Sequence, residues 1–143
     1  MFCLELLKDT KAEVFRVEPI MRNADDIWDG FGNLGPDELN SCFAARRRFS
    51  PSEIKLGSDL WHAFRLSDHA SLKLLAENDS PCFSHLKEVC EAALELDSRP
   101  KEILKKVTHD GGKDFNEVFS EFTKRAGVYG FGDSQVKRIL ESI

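Results

Sequence analysis

The chain has 143 residues, 41% hydrophobic and 31% charged, which fits one soluble globular domain or two very small ones. Its apolar runs all fall short of membrane-spanning length, and a net charge of −5 is far from the strongly basic balance of a general nucleic-acid binder. The charge is uneven: residues 1–98 hold 11 Lys/Arg against 18 Asp/Glu, and residues 99–143 hold 9 against 7, so a mildly basic tail follows an acidic body.

Phe2 to Asp9 has helical spacing, with charge inside its one apolar stretch and no basic leader. No signal peptide is expected, and the cytoplasm is the expected location. Residues 12–17, Ala-Glu-Val-Phe-Arg-Val, read as a strand closed by Pro19. The strand has no partner nearby in sequence, and a lone strand leaves its backbone groups unsatisfied. The expectation is that Val14–Val17 pairs with a second copy, giving a homodimer, or with an upstream domain.

Met21 to Gly35 is turn-rich and reads as a connector. Pro36, Asp37 and Glu38 then open a helix that runs to about Arg47, with Leu39, Cys42 and Phe43 as its apolar stripe. Ser50-Pro51-Ser52-Glu53 is a capping-box start for a helix to about Leu66. Its large apolar residues predict that Trp61 and Phe64 are buried. Ser67 or Asp68 caps a helix from His69 to Glu77, with Leu72, Leu74 and Leu75 inward, and Leu86, Val89, Cys90 and Ala93 mark another.

After Ser98-Arg99-Pro100 the tail holds three amphipathic patterns. Ile103, Leu104 and Val107 form the first face, stopped at Gly111-Gly112. Asp114 caps the second, with Phe115, Val118, Phe119 and Phe122 at i, i+3, i+4 and i+7. Val136, Ile139, Leu140 and Ile143 repeat that spacing in the third. The order outlines a helix-turn-helix or an incomplete winged helix.

The motifs that could carry chemistry are weak. Asp25-Asp26-Ile27-Trp28-Asp29 has the DDxxD form of a magnesium-diphosphate site, but no second aspartate cluster accompanies it. Cys82, His85 and Cys90 are three ligand types whose helical spacing does not converge on a tetrahedron. His62 and His69 are separated by a helix break. No nucleophile has a recognisable base beside it, so no catalytic residue, metal or cofactor is expected. The scattered Cys3, Cys42, Cys82 and Cys90 read as reduced thiols within apolar patterns.

Arg46-Arg47-Arg48 reads either as an anion-binding patch or, more simply, as cations at a helix C-terminus. The turns Asp29-Gly30-Phe31-Gly32-Asn33 and Tyr129-Gly130-Phe131-Gly132-Asp133 resemble each other, with Gly for φ > 0, Phe as a core plug and Asn or Asp as a cap. In the tail, Lys124, Arg125, Ser134, Gln135, Lys137 and Arg138 are the candidate nucleic-acid-binding residues.

Trp28 to Leu39, Phe43 to Phe49, Trp61-His62-Ala63-Phe64-Arg65 and Ala126 to Asp133 resemble a family of bacterial proteins labelled only as a domain of unknown function. The resemblance covers roughly residues 14–143 and implies a helical architecture with an α/β segment upstream of this sequence. That family has no assigned activity, so it implies no site residues.

The sequence therefore predicts a mainly α fold. It is a multi-helix orthogonal bundle with one short N-terminal strand (residues 1–98) and a three-helix C-terminal subdomain (residues 99–143), packed as one unit. The expected function is non-enzymatic, through macromolecular contacts. The alternatives are a DNA-binding regulator using the C-terminal helices, and a fragment of a nucleotide- or phosphate-binding enzyme whose site lies upstream.

Overall fold

Caps and stops written into the sequence divide the chain into short helices. The computed structural model describes residues 2–9, 11–21, 27–109 and 114–143. In chain order the elements are α1 (Phe2–Leu7), β1 (Phe15–Arg16), α2 (Pro36–Ala44), β2 (Arg47–Arg48), α3 (Pro51–Arg65), α4 (His69–Leu75), α5 (Leu86–Leu94), α6 (Arg99–His109), α7 (Phe115–Ala126) and α8 (Asp133–Leu140). Single 3-10 turns occupy Phe31–Asn33 and Gly127–Tyr129. The fold is mainly α, with one two-stranded ladder among the described residues.

The helix starts follow their capping chemistry. Ser50 Oγ accepts the N–H of Glu53 at 3.2 Å, and Glu53 Oε2 accepts the N–H of Ser50 at 2.8 Å. The Ser50 N–H and hydroxyl, both donating to Glu53 Oε2, hold that carboxyl down at about 2, from 4.5. Asp68, rather than Ser67, caps α4, with Oδ1 3.0 Å from the N–H of Ser71. Asp114 and Glu117 close a second reciprocal box at the start of α7.

Two apolar clusters form. Leu60, Ala63, Leu72, Ala76, Leu86 and Cys90 join α3, α4 and α5. Leu104, Val107, Val118, Phe122, Ala126 and Val136 join α6, α7 and α8. The two meet where α5 packs on the 3-10 turn at Gly127. Trp28 sits at this junction, its ring 5.2 Å from that of His85. A Cβ on Gly127 would lie 2.9 Å from Trp28 Cδ1. Glycine is therefore needed there for close approach.

Helix α1 docks along α3. Leu4 is buried against Gly57, and Glu5 accepts a short hydrogen bond from Ser58 Oγ. Glu5 also meets Lys8 Nζ at 2.8 Å and His62 Nε2 at 3.1 Å. The bonds from Lys8 and then Ser58 hold its carboxyl at about 2, from 4.5.

Several expectations need correction. The strand is only Phe15–Arg16, and it pairs antiparallel with Arg47–Arg48 of the same chain, Phe15 opposite Arg48 and Arg16 opposite Arg47. The N–H of Phe49 bonds the carbonyl of Val14 at 2.9 Å and extends the ladder. One edge of the strand is thus paired within the chain. The helix expected to run to Arg47 ends at Ala44, because Arg47 and Arg48 turn into that ladder.

Trp61 and Phe64 are not core residues: Trp61 is half-buried and Phe64 is 40% exposed. The inner stripe of α3 is Gly57, Ser58, Leu60 and Ala63, against which α1 and α4 pack. Leu74, expected inward, is 75% exposed, and Cys3 is exposed while Cys42, Cys82 and Cys90 are buried. The two glycine turns also differ. Gly130 has φ +60° and Phe131 stacks on Phe122 with centroids 6.3 Å apart. Gly30 has φ −91° and Phe31 is exposed. Gly132, not Asp133, is the cap residue of α8. The expected stop at Gly111-Gly112 and residues Asp25 and Asp26 lie outside the described residues.

Candidate binding surface: an arginine and aromatic ledge

The turn from α2 into β2 carries Arg46 to a defined place. Its Nη1 donates to the carbonyl of Phe43 at 3.0 Å, satisfying a helix-end acceptor. Its guanidinium lies 4.3 Å from the Phe43 ring centroid and 5.1 Å from that of Phe15. Phe43 is 59% exposed and Phe15 38% exposed. The exposed Leu39 precedes Phe43 by one helical turn on the same face. The result is an outward-facing layer of two phenyl rings and one guanidinium, held by cation–π attraction.

Alternation along a strand sends Arg47 and Arg48 to opposite faces of the ladder. Arg48 shares the Phe15 face and pairs with Glu13 at 2.9 Å, both side chains more than half exposed, so solvent screens the pair. Arg47 shares a face with Arg16 and is exposed. Beyond Arg48 a depression of about 550 Å³ brings in Lys8 and Lys11 beside the start of α3. The ledge thus concentrates cations on a chain that is acidic as a whole.

A larger cleft of about 880 Å³ adjoins the ledge and shares Phe15 with it; Trp28, Phe49, Phe83 and His85 supply aromatic walls and Arg16 lines its edge. Its polar edge is one internal triad. Arg16 Nη2 lies 2.5 Å from Glu18 Oε1 and donates to Ser84 Oγ at 3.1 Å, and Ser84 donates to Glu18 at 3.1 Å. Arg16 Nη1 is buried with no hydrogen-bond partner among the described residues.

The tail candidates are placed less favourably for an external ligand. Lys124 and Arg125 both reach Glu121, at 3.1 and 3.4 Å. Ser134 donates from N and Oγ to Asp133 Oδ1, and Gln135 Oε1 accepts the N–H of Gly132 at 2.9 Å. Lys137 Nζ lies 4.6 Å over the Phe115 ring, and Arg138 is exposed. Lys124, Arg125, Ser134 and Gln135 thus brace the start and flanks of their own helices, and Lys137 crosses from α8 to α7.

The thiols and imidazoles do not gather. Cys82 Sγ lies 3.9 Å from the carbonyl of Arg48, Cys90 belongs to the first apolar cluster, and His85 stacks against Trp28. Burial pushes both thiols up, away from the reactive thiolate. Among the described residues no group of three or more His, Cys, Asp or Glu is arranged to hold a metal ion. Likewise no described helix is long and apolar enough to cross a membrane.

The sequence contained the three arginines but not what orders them. Phe15 and Phe43 carried only strand and helix-stripe signals, and their convergence on Arg46 depends on the β1–β2 pairing. Fold and ledge together define a small, mainly α protein with an exposed arginine and aromatic surface. Comparison of the chain with protein-family models, curated proteins and solved structures finds no match.

Proposed function

We propose that this chain is a non-catalytic, cytoplasmic module that works by contact with an acidic macromolecule, through the ledge of Phe15, Phe43 and Arg46–Arg48. The observation that carries the reading is the position of Arg46 over two exposed rings. Arginine and aromatic side chains dominate the energetics of binding surfaces, because large rigid groups lose little entropy when covered. Here they are already ordered, which lowers the cost of engagement. Duplex DNA reading by the tail is the weaker proposal, since Lys124, Arg125, Ser134 and Gln135 are engaged within the tail itself.

Anisotropy titrations with two labelled polyanions, a single-stranded oligonucleotide and an oligoglutamate peptide, test this reading. Saturable binding of at least one, weakened in Phe43→Ala and Arg47→Ala, is the expected result. Binding of neither, or equal binding by parent and variants, contradicts it.

A further inference from the structure

We infer that the occupant of the ledge is a single-stranded nucleic acid, its bases stacked at Phe43 and Phe15 and its phosphates held by Arg46, Arg47 and Arg48. This rests on the reading of the ledge as the contact surface and adds the class of partner. Cations alone would suit any polyanion. The layer has a second component, flat apolar faces, which acidic peptide side chains do not use and nucleobases do. The Phe43 and Phe15 rings are both exposed and are bridged by a guanidinium 4.3 and 5.1 Å from their centroids. Arginine planes and phenyl rings are the stacking platforms of single-strand binders.

The cations are placed for a backbone rather than for a point charge. Arg48 leaves the ladder on the face of the Phe15 ring and Arg47 on the opposite face with Arg16, so a backbone held by both crosses the ladder edge. Lys11 extends the charge along the adjoining depression, where Lys8 is paired with Glu5. A duplex is disfavoured, because its bases are stacked on each other and unavailable, and a ladder two residues long cannot enter a groove. Glu13 is the one carboxylate bonded to a ledge arginine among the described residues, 2.9 Å from Arg48. A phosphate on Arg48 would displace it, so Glu13 opposes the ligand.

The test is anisotropy of the full chain with a fluorescein-labelled oligouridylate of about 12 nucleotides, within the usual site size. Three phosphate contacts predict a slope of log affinity against log salt of about −2. Phe43→Ala should weaken binding at least about fivefold, as loss of a stacking platform does. Arg47→Ala should weaken binding and reduce the salt slope by about 0.7. Glu13→Gln should tighten binding about twofold, a gain that mere loss of structure would not produce. Unchanged thermal melts confirm that the variants fold.

Oligoglutamate bound in a Phe43- and Arg47-dependent way, with oligouridylate not bound, overturns the nucleic-acid assignment and leaves the contact surface standing. Binding of neither overturns both. Oligouridylate binding that is indifferent to Phe43→Ala and Glu13→Gln also overturns the assignment.

Discussion

Leu4 of α1 and Gly57 of α3 approach so closely that a Cβ on Gly57 would overlap Leu4 Cδ1 and lie 3.3 Å from Phe83 Cζ. The contact seats α1 on the body. It also fixes the chain that leads into β1 and the ledge. Gly57→Ala should therefore destabilise the protein by about 1–3 kcal/mol, the usual cost of overpacking. That outweighs the gain in helix propensity of about 1 kcal/mol. Urea unfolding checks the sign, and a variant more stable than the parent would show that α1 does not dock there.

Leu60 and Phe64 are one turn apart on α3, yet Leu60 is 0% exposed and Phe64 40%. Leu60→Ala should cost about 2–5 kcal/mol. Phe64→Ala should cost less than about 1 kcal/mol. Chemical denaturation of both variants measures the contrast, and equal losses would contradict the orientation of α3.

Ser67 ends α3 with φ +53°, the left-handed region. The N–H of Asp68 bonds the carbonyl of Ala63 at 2.8 Å and that of Ser67 bonds Phe64 at 3.1 Å, a Schellman closure that normally uses glycine. Ser67→Gly should stabilise the chain by about 0.5–1 kcal/mol, the left-handed strain relieved less the extra chain entropy of glycine. A lower melting temperature would count against this geometry.

Glu5 and Glu53 both have carboxyls held at about 2 against an ordinary 4.5. A depressed folded-state pKa gives stability that is present above pH 4.5 and lost as pH falls towards 2. Thermal melts of the parent and of Glu5→Gln with Glu53→Gln should differ near neutral pH, and the difference should shrink across that window. A gap that stays constant down to pH 2 would mean that these carboxylates do not gain from folding.

The helices were legible in the sequence wherever their caps are local. Ser50 with Glu53 was readable as a capping box and Asp114 as a cap because each interaction spans only three residues. The stripe of α3 was not. Gly57 and Ala63 carry no apolar signal, and their inward placement follows from the approach of other helices. The partner of Phe15–Arg16 was hidden for a related reason. Arg47 and Arg48 look like a helix end until a ladder across more than thirty residues of chain claims them. Candidate arginines could be named from sequence; Phe43 meets Arg46 locally, but the Phe15 ring reaches it only through the ladder.

The most direct test of the account is an amide chemical-shift titration of the labelled protein with oligouridylate. The ledge predicts that the largest shifts fall on Phe15, Arg16, Phe43 and Arg46 to Phe49. Shifts confined to Ser134–Arg138, or no shifts at all, would contradict it.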